Sequence, residues 1–179
     1  MKTTDPTLGS PAIGQPAPGF TLPDLEGVSH ALADQRGRIA VIHFWSAECQ
    51  WCKRTDPALL ELAHTWGEPV TLLVVASNAN ESQELLKEIA ARRGLSPVLV
   101  DSGQRVADLY GAVTTPHVFI VDHEGILRYQ GAFDDVTFRQ RTPTRIFVQE
   151  AVAALLAGRP PEPAQTPPYG CSLVRFAID

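Results

Sequence analysis

The sequence has 179 residues, of which 44% are hydrophobic and 20% are charged, and its formal net charge is −5. A chain of this length can bury the core of one domain, and its mild acidity argues against the basic patch that nucleic-acid binding requires. Three cysteines are too few for a disulfide scaffold, so they are better explained by chemistry than by cross-linking.

The ends of the chain bear on its location. Residues 1–19 are rich in Pro, Gly, Thr and Ser and are predicted to form an irregular lead-in. They contain no apolar core of signal-peptide length, and no run in the sequence approaches a membrane span. The chain as written is therefore expected in the cytoplasm, and an extracytoplasmic location stays open if a leader has been removed.

From residue 20 onward, strand-like and helix-like patterns alternate. A short hairpin with its turn at Glu26-Gly27 precedes a continuous apolar run from Ile39 to Trp45, which is typical of a strand buried on both faces. The later predicted elements are a helix from about Cys49 to Trp66, a strand from Val70 to Ala76, a helix from about Glu81 to Arg93 capped by Asn80, a strand from Pro97 to Val100, a short helix around Val106 to Tyr110, strands from His117 to Val121 and from Ile126 to Gln130, and a helix from Thr142 to Gly158.

This order of elements predicts an α/β domain with a mixed sheet and helices on both faces. We place the domain at residues 14–158. Residues 159–179 form a Pro-rich tail that contains Cys171 and is expected to be extended over its five prolines.

The two cysteines that follow the long apolar strand carry the strongest chemical signal. Cys49 comes at the predicted start of a helix, where unpaired backbone N–H groups and the helix dipole favour a thiolate. Cys52 follows about one helical turn later, close enough to close a small disulfide ring. This arrangement indicates redox chemistry.

The surrounding motifs resemble a known superfamily. The segment from Trp45 to Lys53, with Pro57 five residues past Cys52, looks like the active-site segment of the thioredoxin superfamily. Thr115-Pro116, directly before a strand and a Gly-containing hairpin, is similar to that superfamily's cis-proline. The resemblance implies a thioredoxin fold with a mixed central sheet flanked by helices.

Two further segments resemble one branch of the superfamily. The opening from Gly14 to Leu22, with its hairpin, and the extra strand–helix unit around residues 81–100 are similar to the TlpA/ResA-type thiol–disulfide oxidoreductases. They also resemble the broader redoxin group, of AhpC/TSA type, that includes the peroxiredoxins. The match covers roughly residues 14–158.

The resemblance implies named roles for the site residues. Cys49, exposed at the helix N-terminus, would attack a partner disulfide, and the more buried Cys52 would resolve the mixed disulfide. Pro116, if cis, would present the Thr115 backbone beside the dithiol for pairing with a substrate strand. His43 would take the proton from Cys52 or, equally well, serve as a core histidine.

The sequence departs from the family around the dithiol. Glu48 stands where an aromatic residue usually precedes the first cysteine, and Gln50-Trp51 stands between the cysteines without a proline. His43 lies two residues before Trp45, where thioredoxins commonly have a buried acid. Glu48, Gln50 and Trp51, together with Thr115, are therefore the candidate substrate-binding residues, and the changes leave the reduction potential open.

Three functions compete on these residues. The first is a thiol–disulfide oxidoreductase that needs no cofactor or metal and exchanges with protein or small thiol substrates and a redox partner. The second is a thiol peroxidase, but Ser46 and Ile42 stand where peroxiredoxins have a threonine and a proline before the reactive cysteine. The third is a non-catalytic metal-binding module of the same fold, such as a copper-handling protein, but those relatives typically space their cysteines by three residues and add a distal histidine. A zinc site that adds His43, His64 and His117 to the two cysteines is a separate alternative, although the chain has no second Cys-x-x-Cys.

Cys171 is not required by the oxidoreductase core. The Pro-rich stretch before it spans on the order of 30 Å when extended, against a radius of gyration of roughly 16 Å for a chain of this length. The tail can therefore return Tyr169-Gly170-Cys171 to the active site. Cys171 either packs as a small apolar residue beside the residues that follow it, or serves as an auxiliary thiol that exchanges with Cys49 or with a second subunit.

Overall fold

The structure, a computed structural model, describes residues 10–177. Residues 1–9 of the predicted lead-in lie outside the described residues. The elements, in chain order, are β1 (Thr21–Pro23), β2 (Ser29–Ala31), a 3-10 turn (Leu32–Gln35), β3 (Ile39–Trp45), α1 (Gln50–Trp66), β4 (Val70–Ala76), α2 (Gln83–Arg93), β5 (Val98–Val100), α3 (Arg105–Tyr110), β6 (Thr114–Thr115), β7 (His117–Val121), β8 (Leu127–Gly131), α4 (Phe147–Leu156) and β9 (Cys171–Ser172). No helix in this part of the chain is long and apolar enough to cross a bilayer.

The central sheet has five strands in the order β5-β4-β3-β7-β8. β3, β4 and β5 run parallel, whereas β7 is antiparallel to both β3 and β8. β3 lies in the middle, and every one of its residues is buried. The continuous apolar pattern of β3 therefore correctly predicted a strand covered on both faces.

Helices cover both faces of this sheet, so the predicted mixed α/β architecture is confirmed. One face of β3, with Ile42 and Phe44, packs against α3 and the N-terminal segment. Its other face, with Val41 and Trp45, packs against α1, α2 and α4. The predicted N-terminal hairpin is β1–β2, and the predicted extra strand–helix unit is α2 with β5.

Two predicted helix starts are wrong. Ser82, not Asn80, caps α2, because the Ser82 hydroxyl accepts the Leu85 N–H. The last helix begins at Phe147, not after Thr142. The Thr144 N–H binds the Asp135 carboxylate instead, and this pairing holds the residues before α4 in a loop.

Candidate active site

The dithiol lies at the junction between the end of β3 and the start of α1. Cys49 is the N-terminal capping residue of α1, with extended backbone, and Cys52 lies in the first turn. Both are free thiols, and Cys52 is fully buried. The first cysteine thus follows the C-terminal end of the central strand and lies at the helix N-terminus, as the sequence predicts.

A cis-proline loop lies against Cys49. The Thr115–Pro116 peptide bond is cis, and the Cys49 sulfur lies 2.9 Å from the Thr115 carbonyl oxygen. Strand β6 ends at this bond, 66 residues along the chain from Cys49. The structure therefore brings Thr115 and Pro116 to the dithiol, which is the placement that the resemblance implies.

The two thiols of the Cys-x-x-Cys differ in acidity. Hydrogen bonding from the Cys52 thiol lowers the pKa of Cys49 well below its usual value, although burial opposes this shift. Smaller contributions in the same direction come from Cys171, Thr115 and the Cys52 backbone N–H. Burial raises the pKa of Cys52 well above its usual value, and its hydrogen bond to Cys49 adds to that rise. Cys49 is therefore the thiolate of the pair and Cys52 is the thiol.

Cys49 is not exposed, which corrects the sequence-based expectation. Only 3% of its surface is accessible, because the C-terminal strand β9 lies over it. β9 pairs with β6, with Cys171 opposite Thr115, and the Cys171 sulfur lies 2.7 Å from the Cys49 sulfur. The tail thus returns to the active site, and Cys171 contacts the reactive sulfur.

His43 lies in the middle of β3 and is fully buried. Neither ring nitrogen has a hydrogen-bond partner, and the ring packs edge-on against Phe133 at 6.5 Å. Burial lowers the pKa of His43 to about 4, so the imidazole is neutral at pH 7. Its role as a proton acceptor for Cys52 stays a prediction, and no hydrogen bond joins the two residues.

The predicted substrate-binding residues surround the opening of the site. Glu48 and Gln50 are exposed, and Trp51 is half-buried. The Trp51 ring meets Tyr169 and Phe138 edge-on, at 5.1 Å and 5.7 Å between ring centroids. Beside this aromatic cluster lies a cleft of about 310 Å³, lined by Gln50, Trp51, Arg54, Val136, Thr137, Phe138 and Arg141.

Sequence reasoning missed a buried carboxylate behind the dithiol. Asp56 accepts hydrogen bonds from the Trp45 indole, at 3.1 Å, and from Arg93, at 2.9 Å. Burial raises the pKa of Asp56, and its charge in turn contributes to the raised pKa of Cys52. In the sequence, Asp56 and Arg93 look like ordinary helix-surface charges, and only the fold shows that they meet.

A second missed carboxylate holds the loop before Cys49. Glu81 accepts hydrogen bonds from the Ser46 hydroxyl, at 2.6 Å, and from the Glu48 N–H, at 3.0 Å. Arg93 also donates to the Ala47 carbonyl, at 2.7 Å. These contacts fix the backbone that leads into Cys49. No local sequence signal links residue 81 to this loop, since 33 residues separate Glu81 from Glu48.

The histidines considered as metal ligands do not converge. His43 is fully buried in β3 and His64 is exposed, while His117 is buried beside Pro116 and its Nδ1 accepts the Val113 N–H. Burial lowers the pKa of His117 to about 4. Residues 10–177 contain no group of three or more His, Cys, Asp or Glu side chains arranged to hold a metal ion.

The five-stranded mixed sheet, the dithiol at a helix N-terminus and the cis-proline opposite it define a protein of the thioredoxin-like class. Residues 13–130 match the AhpC/TSA family. The chain belongs to that family. The resemblance to redoxin proteins and the predicted fold class are thereby confirmed.

Individual relatives agree with this assignment. The thiol-disulfide oxidoreductase ResA of Geobacillus thermodenitrificans is 34% identical over 115 residues, which make up 64% of this chain and 66% of the relative, just under two thirds of its length. The crystal structure of a hypothetical protein from Sinorhizobium meliloti has a TM-score of 0.86 at 30% identity and covers 95% of this chain and 98% of its own.

A more distant structure shows the fold alone. The thioredoxin domain of a thiol-disulfide oxidoreductase from Bacteroides vulgatus has a TM-score of 0.62 at 23% identity. It covers 83% of this chain and 98% of its own. The likeness extends beyond the segment that matches the family and places the whole domain among thioredoxin-like folds.

Proposed function

We propose that this protein is a thiol–disulfide oxidoreductase whose reactive pair is Cys49 and Cys52. The observation that carries the proposal is the contrast between the two thiols. Cys49 has a lowered pKa at the N-terminus of α1, while Cys52 is fully buried with a raised pKa. The names of the ResA relatives support the same activity.

The reaction needs only the sulfur atoms of the chain and the substrate. The Cys49 thiolate attacks one sulfur of a substrate disulfide, and the other substrate sulfur leaves as a thiolate. Cys52 then loses its proton and attacks the Cys49 sulfur, which releases the second substrate thiolate. Two electrons pass to the substrate, and a Cys49–Cys52 disulfide remains. A redox partner that reduces this disulfide completes the cycle, and the same steps in reverse oxidise a dithiol.

The substrates we propose are disulfide- or dithiol-containing proteins and small thiols. The cleft beside Trp51 offers an aromatic wall and the cations Arg54 and Arg141 next to the dithiol. Arg54 already forms a bidentate ion pair with Asp134, so Arg141 is the cation left to meet an anionic group of a substrate. This charge balance suits a substrate with a carboxylate near its disulfide.

The peroxidase alternative finds no support in the site. Ser46 occupies the position where a peroxidase has a threonine, and its hydroxyl donates to Glu81, not toward Cys49. The Cys49 sulfur is instead surrounded by the Thr115 carbonyl, Cys171 and Cys52. The Thr115 side chain contributes to the lowered pKa of Cys49, but Thr115 belongs to the cis-proline loop and not to the position three residues before the reactive cysteine.

A comparison of two substrates tests the proposal. The wild-type chain should catalyse the reduction of insulin by dithiothreitol and consume hydrogen peroxide no faster than a free thiol does. The double variant Cys52→Ser, Cys171→Ser, which cannot resolve a mixed disulfide, should accumulate a covalent adduct with insulin through Cys49. Peroxide turnover without insulin reduction, or an adduct on another residue, would contradict the proposal.

A further inference from the structure

The C-terminal strand occupies the edge where the proposed function places a substrate. In β9, Cys171 pairs with Thr115 and Ser172 pairs with Thr114, in antiparallel register. Thr115 is the residue directly before the cis-proline, so this edge is the one beside the dithiol. The chain therefore presents its own cysteine to Cys49 on an extended strand, as a substrate peptide would.

The tail is fixed on both sides of Cys171. Before it, the Tyr169 hydroxyl accepts the Phe138 N–H at 2.9 Å. After it, the Leu173 N–H donates to the Val113 carbonyl at 3.0 Å, and the Val174 N–H donates to Asn78 at 2.9 Å. Cys171 is thus positioned by the fold and does not sit on a loose end.

Gly170 makes this close approach possible. A Cβ atom added to Gly170 would lie 2.2 Å from the Thr115 carbonyl oxygen and 2.7 Å from its carbon. These are backbone atoms next to the cis-proline, so they cannot move aside as a flexible side chain would. A side chain at position 170 would push β9 away from β6 and take Cys171 with it.

The surroundings of Cys171 change with the redox state of Cys49. Burial, together with the hydrogen bond and charge of Cys49, raises the pKa of Cys171 to about 11, while the backbone N–H groups of Trp51 and Gln50 act in the opposite direction. When Cys49 is part of a disulfide it carries no charge, and its contribution disappears. The N–H groups at the start of α1 then continue to lower the pKa of Cys171 while burial continues to raise it, so the pKa of Cys171 is lower than in the reduced protein.

We infer that Cys171 is a third redox-active thiol, which exchanges with the Cys49–Cys52 disulfide to form a Cys49–Cys171 disulfide. The inference rests on the proposed function, since it needs the Cys49–Cys52 disulfide as its starting point. The sulfur atoms of Cys49 and Cys171 are 2.7 Å apart, so less than about 1 Å of movement separates the contact from a bonded pair.

The exchange is balanced within the chain. The Cys171 thiolate attacks the Cys49 sulfur, the Cys49–Cys171 bond forms and the Cys49–Cys52 bond breaks. Cys52 leaves as a thiolate and takes up the proton that Cys171 gave away. One disulfide and one thiol are present before and after the step, so no external oxidant is consumed.

Peptide mapping distinguishes the two disulfides. Trypsin cleaves after Arg38 and Lys53 and leaves Cys49 and Cys52 on one peptide, while cleavage after Arg145 and Arg175 leaves Cys171 on another. The reduced full chain is oxidised with diamide, the free thiols are blocked with N-ethylmaleimide in acid, and the digest is analysed by mass spectrometry. A cross-link between the two peptides reports a disulfide to Cys171.

The expected result is a cross-linked fraction of at least about 10% in the oxidised wild type, which corresponds to an exchange equilibrium within about tenfold of unity. Cys52→Ser keeps only Cys49 and Cys171, and the Cys49–Cys171 disulfide should form in most of its oxidised chains. In Gly170→Ala the fraction should fall at least about fivefold, because the strand is displaced. Gly19→Ala is the control, since a Cβ there meets nothing within 4 Å.

Either of two results overturns the inference. One is a cross-linked fraction below about 10% in the oxidised wild type, whatever Cys52→Ser forms. The other is an equal fraction in Gly170→Ala and Gly19→Ala. A wild-type protein that forms Cys49–Cys52 and reduces insulin without the cross-link leaves the proposed function standing, whereas a protein that forms neither disulfide refutes both.

Discussion

The reactive sulfur of Cys49 lies between two thiols that reach it in different ways. Cys52 is three residues away on the same helix and is fully buried. Cys171 comes from the far end of the chain, is half-buried, and faces the N–H groups of Gln50 and Trp51. Helix geometry alone brings Cys52 to Cys49, whereas the path of the whole tail is needed to bring Cys171 there.

The two sides also rest on different kinds of interaction. Behind Cys52, the buried carboxylate of Asp56 on α1 pairs with the half-buried Arg93 on α2. Arg93 also donates to the Ala47 carbonyl and thereby holds the loop before α1. On the Cys171 side, backbone pairing with Thr115 and the edge-on contact of Tyr169 with Trp51 hold the tail. Charged groups therefore affect the pKa of Cys52, while strand pairing positions Cys171, and the two thiols can be tested separately.

Removing the sulfur of Cys49, which both Cys52 and Cys171 contact, should have the largest effect on activity. Cys49→Ser is expected to lower the rate of insulin reduction by about 1,000-fold, because no other thiol combines a lowered pKa with a place at the cis-proline. Both disulfides to residue 49 should disappear from the peptide map. Cys171→Ser is the control and should still form the Cys49–Cys52 disulfide. Rapid turnover by Cys49→Ser would mean that Cys52 or Cys171 is the attacking thiol.

The buried histidine on the Cys52 side should give the protein a specific sensitivity to acid. Burial lowers the pKa of His43 from 6.5 to about 4, so between these values the unfolded state binds more protons than the folded state. The contribution of neutral His43 to stability is therefore complete above pH 6.5 and is lost as the pH falls to about 4. We expect wild type to lose about 3 kcal/mol more than His43→Leu over this interval.

Urea unfolding of both proteins at pH 6.5 and pH 4 measures this difference. His123→Gln, at an exposed position, is the control and should behave as wild type does. Parallel pH profiles for wild type and His43→Leu would show that His43 is not buried in its neutral form. A change in the pH profile of turnover, beyond the change in stability, would instead support a proton-transfer role.

Adjacent arginines on α2 test the charges behind Cys52. Arg93 pairs with Asp56, and their side chains are 16% and 2% exposed. Arg92 pairs with Glu88, and their side chains are 66% and 61% exposed. Arg93→Gln should lower the free energy of unfolding by about 2 kcal/mol, because it leaves Asp56 buried without its cation. Arg92→Gln should change it by at most about 0.5 kcal/mol. Equal effects in urea unfolding would refute the contrast between the buried and exposed pairs.

The smallest expected effect concerns the contact between Tyr169 and Trp51, which helps to keep the tail over Cys49. Tyr169→Leu removes the edge-on contact with Trp51 and should raise the rate of iodoacetamide labelling of Cys49 about fivefold, because an aromatic pair contributes about 1 kcal/mol. Tyr169→Phe keeps the ring but loses the hydroxyl that accepts the Phe138 N–H, so its labelling rate should lie between those of wild type and Tyr169→Leu. Unchanged labelling in Tyr169→Leu would show that the backbone pairing of β9 alone covers Cys49.

Much of the fold follows from local patterns. The apolar run Ile39–Trp45 and the helix ending at Trp66 are short-range signals, and the structure places both where the sequence predicts them. The Cys-x-x-Cys at a helix start is equally local, since the spacing of the two thiols and the helix dipole depend on neighbouring residues only. Errors arose at helix caps, as at Asn80 and Thr142, where a competing side chain nearby decides the first residue.

What the sequence by itself determined is the dithiol, the order of the elements and the class of protein. The tertiary structure alone decided that Asp56 meets Arg93, that Glu81 holds the loop before Cys49, and that Cys49 is covered. Each of these contacts joins segments that are far apart in the chain, and nothing in the local pattern at either end encodes its partner. The length of the Pro-rich tail showed that Cys171 could reach the active site, but 122 residues separate it from Cys49, and only the pairing of β9 with β6 places the two sulfurs in contact.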